Sequence, residues 1–245
     1  MIEARYMSNG NTYEQVCSIQ VPEPTRSYQP VSNKDIIDNL KIVCNHNKMN
    51  VVKEQYDLGQ KGNQMFGAFT IQDQDSEMQR LIGFRNSYNK TLPIGFAAGA
   101  EVIVCSNLMF QGDIMAIKKH TVNVFDHLEN LMLDIVRSLN NSFEKIIEHK
   151  TILQTVEVDK SLIGEILAET FLEQELLSMN QLSVFRQEWL KKELVISPDK
   201  NFKSIQTGWD VMNHFTEALK KEHASTRINK QIEVHEYLTQ KLEIV

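Results

Sequence analysis

Apolar and polar positions change their period along the chain, and each change predicts a different element. Residues 1–12 are polar without an apolar period and read as a mobile end. Tyr13 to Val21 reads as a strand. Pro22-Glu23-Pro24 and Pro30 close it, because proline cannot continue a ladder. Ser32 then stands as an N-cap before a helix to about Lys48, with Ile36, Leu40 and Val43 or Cys44 on one stripe.

From Met49 to Thr121 the period falls from about 3.6 to 2, which predicts an antiparallel meander. Val52, Tyr56 and Leu58 share a face, Gly59 to Gly62 turns the chain, and Met65, Phe69 and Ile71 answer on the next strand. Polar residues from Gln72 to Glu77 make the next turn. Strands are expected over Met78–Ser87, Phe96–Cys105 and Ile114–Thr121, and the run Val102 to Cys105 is apolar on both faces, which places it centrally in the sheet.

Asn123 followed by Asp126 resembles a capped helix start. Leu128, Leu131, Met132, Ile135, Leu139, Phe143 and Ile146 then form one long stripe, so this helix is expected to cover the sheet. Further helices are expected at about 160–178, 182–194 and 208–242, the last broken near Ala224 to Thr226. Phe171, Phe185, Trp189, Trp209, Phe215 and Leu219 would be their core. The predicted fold is α+β: an antiparallel β-meander covered by a long helix and followed by a mostly helical C-terminal region. Residues 1–27 form a tail and strand, 28–150 the α+β core domain, and 151–245 the helical region.

Composition narrows the class. Hydrophobic residues are 42% and charged residues 24%, so the chain should fold rather than stay disordered. No apolar run reaches the roughly 18 residues of a membrane span, and the start lacks the pattern of a signal peptide. A cytoplasmic protein without membrane contact is therefore expected. The odd set Cys17, Cys44 and Cys105 argues for thiols rather than a disulfide framework. The net charge is −6, yet residues 1–122 balance 12 Lys/Arg against 12 Asp/Glu, and the acidic excess lies in the C-terminal half. A nucleic-acid binder needs a basic face, so any such face must be local.

One stretch carries a resemblance. Arg85-Asn86-Ser87-Tyr88-Asn89-Lys90-Thr91, then Gly99 to Asn107, then Lys118-Lys119-His120-Thr121 follow each other in an order similar to a phage/plasmid-like protein family, that of the domain of unknown function 932. Tyr28 to Ser32 and Phe66 to Phe69 resemble the family's opening, and the resemblance spans roughly residues 28–122. It implies a phage or mobile-element origin and no established reaction. Where the family commonly shows a His-Asp pair this chain has Tyr88-Asn89, which speaks against a His/Asp catalytic site at that turn.

Residues 78–120 hold Arg80, Arg85, Lys90, Lys118 and Lys119 against Glu101 and Asp113, and His120 ends the window. Alternation sets Arg85 and Ser87 on one face, Phe84 and Asn86 on the other, and Lys118 and His120 with Ile114 and Ala116. These basic residues are either ordinary solvated sheet charges or a phosphate-binding site, with Tyr88 or Phe110 available to stack on bases. Cys105 and His120 could pair as nucleophile and base, but a cysteine ending so apolar a strand reads first as core. Cys44 and His46 lack the second pair that a zinc site needs, and Gly95 to Gly99 has no following helix to make a phosphate loop. No catalytic residue, metal or cofactor is expected. The favoured function is nucleic-acid metabolism in a phage or plasmid, by single-stranded DNA binding or annealing, since a meander followed by a long helix is a unit that phage annealing proteins also use. The alternative is a non-enzymatic module binding a host or phage protein, as a virion component or an inhibitor of host defence, favoured by the acidic C-terminal half. A homo-oligomer is compatible with either.

Overall fold

A computed structural model describes residues 10–72, 78–102, 107–196, 205–220, 222 and 224–244, with only the backbone described at 102, 107–115, 194–196, 224 and 225. The chain divides into two compact units, residues 1–143 with 223–225, and residues 144–222 with 226–245.

The first unit opens on a helix, not the expected strand. Helix α1 (Tyr13–Cys17) forms because Thr12 and Gln15 build a capping box, the Thr12 hydroxyl accepting from the Gln15 N–H and the Gln15 side-chain Oε1 from the Thr12 N–H. Its spacing of Tyr13, Val16 and Cys17 then puts one face on the core. Five residues are too few for a helical period to show in a sequence, so local capping decides the conformation. Helix α2 (Asn33–His46) starts at Ser32, whose hydroxyl accepts from the Asp35 N–H, and Ile36, Leu40, Val43 and Cys44 are buried as their stripe requires.

Five antiparallel strands follow in sequence order: β1 (Val51–Gly59), β2 (Gln64–Ile71), β3 (Met78–Ser87), β4 (Ile94–Val102) and β5 (Asn107–Lys118). The meander is as expected, with two local differences. A bulge between Val51 and Lys53 turns Val52 out to 48% exposure, away from the face it was expected to share with Tyr56. The fifth strand begins at Asn107 rather than Ile114, and its pairing with β4 shifts between Ala97 and Gly99. Of the apolar run Val102 to Cys105, Val102 closes β4, inside the sheet between β3 and β5; residues 103–105 lie outside the described residues.

Helix α3 (Phe125–Thr155) supplies Leu128, Met132, Ile135 and Leu139 to the first unit's core, where they meet α2 and one face of the sheet. That face carries Tyr56, Met65, Phe69, Ile82, Phe84 and Phe96. Each such side chain removed from water contributes about 2 kcal/mol, which makes this the dominant stabilising layer. Gly67 leaves room for one of them: a Cβ there would stand 2.2 Å from the Phe84 ring, its cross-strand partner. The opposite face mixes small, polar and apolar residues, among them Gln64, Phe66, Ala68, Thr70, Leu81, Gly83, Arg85 and Ala97. There Glu101 accepts from Lys53 Nζ at 2.7 Å and from Thr70 Oγ1 at 2.6 Å.

The second unit is helical, as expected. It contains α4 (Lys160–Ala168), α5 (Met179–Ile196), α6 (Gly208–Leu219) and α7 (Ala224–Lys241), and a two-residue ladder of β6 (Glu157–Val158) with β7 (Gln206–Thr207) that periodicity could not show. The segment expected as one helix over 160–178 widens into a π-turn at Glu169–Glu173, where the buried Thr170 hydroxyl donates back to the Ile166 carbonyl.

Candidate nucleic-acid interface

The segment from Arg85 to Thr91 is first of all a structural bracket. Asn86 Nδ2 donates to the Val31 carbonyl and to Asn33 Oδ1, and the Asn33 N–H donates to the Tyr88 hydroxyl at 2.8 Å. The Ser87 hydroxyl donates to Asn89 Oδ1, which also accepts from Thr91, while Gln64 Nε2 donates to Thr91 Oγ1. Asn86, Ser87, Tyr88, Asn89 and Thr91 thereby tie the extended segment before α2 and the start of β2 to the turn between β3 and β4. Tyr88 is 6% exposed and its hydroxyl is engaged, so it is not available to stack on a base. The side chain of Phe110 lies outside the described residues.

The six basic residues expected to act together are divided. Register places Arg80 on the core face, its guanidinium 5.0 Å from the Phe143 ring, and Arg85 on the opposite face. Lys118 pairs with Ile94 and so also belongs to the core-face side. Arg85 and Lys118 therefore make no common patch. Arg85 is 8% exposed and His120 is 7% exposed, so neither stands on open surface. Burial alone pushes the Arg85 guanidinium below its ordinary pKa, and no carboxylate opposes the shift. Burial also lowers His120, with the Gln29 backbone working the other way. His120 packs against the Tyr28 ring at 5.5 Å, while Cys105, its proposed partner, lies outside the described residues. Cys44 is fully buried, which pushes its thiol up to about 12, whereas His46 faces solvent; the two do not converge on a common ligand position.

What the structure does assemble is one end of the sheet. The Gly59–Gln64 hairpin, the turn after β3 and the end of β5 come together there, joined by Tyr88 N–H to the Asn63 carbonyl at 2.8 Å and Gln29 N–H to the His120 carbonyl at 3.2 Å. Residues 25–32, 58–64, 87–94 and 117–121 contain Arg26, Lys61, Lys90, Lys118 and Lys119 and no acid. Among the described residues none of these five is in an ion pair. Arg26, Lys61, Lys90 and Lys119 are exposed. Lys61 and Lys90 hold left-handed φ of 58° and 63°, and Lys90 Nζ lies 4.5 Å from the Tyr28 ring centroid. Cations gathered from four chain segments that themselves carry no acid raise the local concentration of anions. Arg26 and Lys61 fall outside the window that composition singled out. The signal that could have found them is topological, since a meander returns alternate turns to the same end.

Fold and corner together define a mixed α+β protein of an uncharacterised family, with no helix among the described residues long and apolar enough to cross a membrane. The chain belongs to the family of the domain of unknown function DUF932, whose model matches residues 23–240. The match extends through the helical unit, well beyond the residues on which the resemblance was first drawn. No curated protein and no solved structure matches the chain.

Proposed function

We propose that the protein binds single-stranded nucleic acid through the cationic end of its sheet, as a DNA-binding or annealing factor. The observation that carries the reading is the gathering of Arg26, Lys61, Lys90, Lys118 and Lys119 around that end with no acid in the same segments. Neutralising backbone phosphates and releasing their counterions supplies most non-specific affinity, and exposed lysines at a sheet end suit that task without reading sequence. A phage or plasmid origin, a cytoplasmic setting and self-association along a bound strand belong to the same proposal. The test is fluorescence anisotropy of a labelled single-stranded oligonucleotide across a salt series. Binding should weaken steeply with salt, and the slope should fall by roughly 0.7 for each lysine replaced. No anisotropy change at low salt and micromolar protein would overturn the reading.

A second reading rests on the helical unit. Leu172 is 71% exposed and Met179 is 66% exposed, on a unit whose sequence holds 13 Lys/Arg against 17 Asp/Glu. Exposed apolar side chains on an acidic helical surface suit a protein partner better than a polyanion. Loss of a captured partner on Leu172→Ser with Met179→Ser, in a protein that binds no oligonucleotide, would favour it over the first.

A further inference from the structure

Arg85 presents a problem that its surroundings do not solve. It sits on the sheet face turned away from the core helices, is 8% exposed, and its Nε is wholly covered. Among the described residues no acceptor or carboxylate meets any part of the guanidinium. The group stays charged at every ordinary pH, and a buried charge without a partner costs several kcal/mol. Its immediate neighbours on that face give it no counter-charge: Phe66 and Gly95 flank it across the strands, Gly83 precedes it, the Ser87 hydroxyl is spent on Asn89, and the buried Asp57 stands beyond Phe66, one strand further away. Gln64, opposite Ser87, adds a covered Oε1 that also lacks a partner.

The side chain is nevertheless given a place. A Cβ on Gly95 would stand 3.1 Å from Arg85 Nε and 3.5 Å from its Cγ, so the arginine lies across bare backbone toward β5. Ile117, the residue opposite Gly95 on that edge strand, is 44% exposed, so the direction in which Arg85 lies leads to solvent.

We propose that Arg85 anchors a site for a single oxyanion, a phosphate or carboxylate group gripped by paired N–H donors of the guanidinium over Gly95. Parallel N–H···O bonds to such a group are the strongest pairing arginine makes, and they supply the missing counter-charge. The group comes either from a bound strand, a source that rests on the nucleic-acid reading, or from a free small anion, which does not.

The experiment uses the intact protein with inorganic phosphate as the probe. Thermal unfolding is followed in phosphate and in chloride at matched ionic strength, and oligonucleotide binding is measured in parallel. The wild type should gain melting temperature saturably with phosphate, and Arg85→Gln should lose that gain. Gly95→Ala keeps the charge but crowds the side chain at Nε and displaces the guanidinium tip, and should raise the half-saturating phosphate concentration about tenfold, as loss of one charge-assisted bond at that tip implies. If the strand supplies the group, Arg85→Gln also weakens oligonucleotide binding and phosphate competes for it. If a free anion does, oligonucleotide binding is unchanged in the variant. A wild type that gains no more from phosphate than from chloride overturns the site, as does an unaltered phosphate response in Arg85→Gln. Should Arg85→Gln not fold, an unaltered response in Gly95→Ala has the same force. Absence of oligonucleotide binding by the wild type sinks the nucleic-acid reading and leaves the phosphate arm to decide the site.

Discussion

Asn86 Nδ2 stands 2.8 Å from Asn33 Oδ1 and 2.9 Å from the Val31 carbonyl oxygen, so one buried amide holds the start of α2 against the third strand. Both partners are shielded from water with it, since Asn33 is 2% exposed and Val31 is fully buried. Asn86→Ala would leave two buried acceptors unpaired, and such groups cost about 1 to 3 kcal/mol each. A stability loss of about 3 kcal/mol in urea unfolding is expected, with Tyr88→Phe losing about 1 kcal/mol for the single bond from the Asn33 N–H. A loss below 1 kcal/mol for Asn86→Ala would show that the bracket is not structural.

The ring of Phe84 fills the place where a side chain at position 67 would be. Because Gly67 and Phe84 are direct cross-strand partners and Phe84 is 1% exposed, the ring cannot swing out without leaving the core. Gly67→Ala should therefore cost about 2 kcal/mol or more through overpacking, against the slight gain expected for alanine at an unhindered strand position. Chemical denaturation of the single variant checks this, and a neutral result would mean that Phe84 has an alternative rotamer to occupy.

The meander and the covering helix were legible because their apolar periods run for many residues. Ile36, Leu40 and Met132 lie where their stripes put them, and Met65 and Phe69 share the buried sheet face. The misses are local or topological. Thr12 and Gln15 set a helix where a strand was expected, through a capping box, and the bulge at Val52 adds a residue that flips one side chain. At the candidate site, alternation correctly separates Arg85 from Asn86. It could not tell that Arg85 would be only 8% exposed on the face away from the core, nor that Arg26 and Lys61 would join Lys90 at one end. Those depend on what packs on a sheet and where its turns return, which no local period encodes.

Lys61, Lys90 and Lys119 can be neutralised without disturbing the fold, because all three are exposed and, among the described residues, none is in an ion pair. Glutamine is the suitable replacement, since it keeps a long side chain at the left-handed positions 61 and 90. The triple Gln variant should unfold within about 0.5 kcal/mol of wild type per site while its oligonucleotide affinity falls and its salt slope flattens by roughly two. Retained affinity with an unchanged slope would move the binding surface elsewhere.

His214 makes the helical unit sensitive to acid. Gln206 Nε2 donates to the Trp189 carbonyl, so its Oε1 is left to accept, and His214 Nε2 lies 2.7 Å from it. The imidazole is thus held neutral with its proton on Nε2, and a second proton would go to Nδ1 in a pocket edged by Phe185 and Trp189. Burial depresses His214 to about 4, with the charges of Asp210 and Glu188 opposing only in part, and it depresses His235 to about 4, with His149 adding to the shift. The unfolded chain takes up these protons near pH 6.5, where the native protein does not. Between the two values the unfolded state binds more protons, so stability is complete above about pH 6.5 and is lost as pH falls toward 4. Each group contributes at most about 1.4 kcal/mol per pH unit across that window. Urea unfolding between about pH 6.5 and 5.5, where carboxylates stay largely ionised, reads mainly the histidines. His214→Gln should remove one group's share of the slope while leaving an amide to face Gln206. A variant whose stability declines as steeply as the wild type would show that His214 is not held neutral.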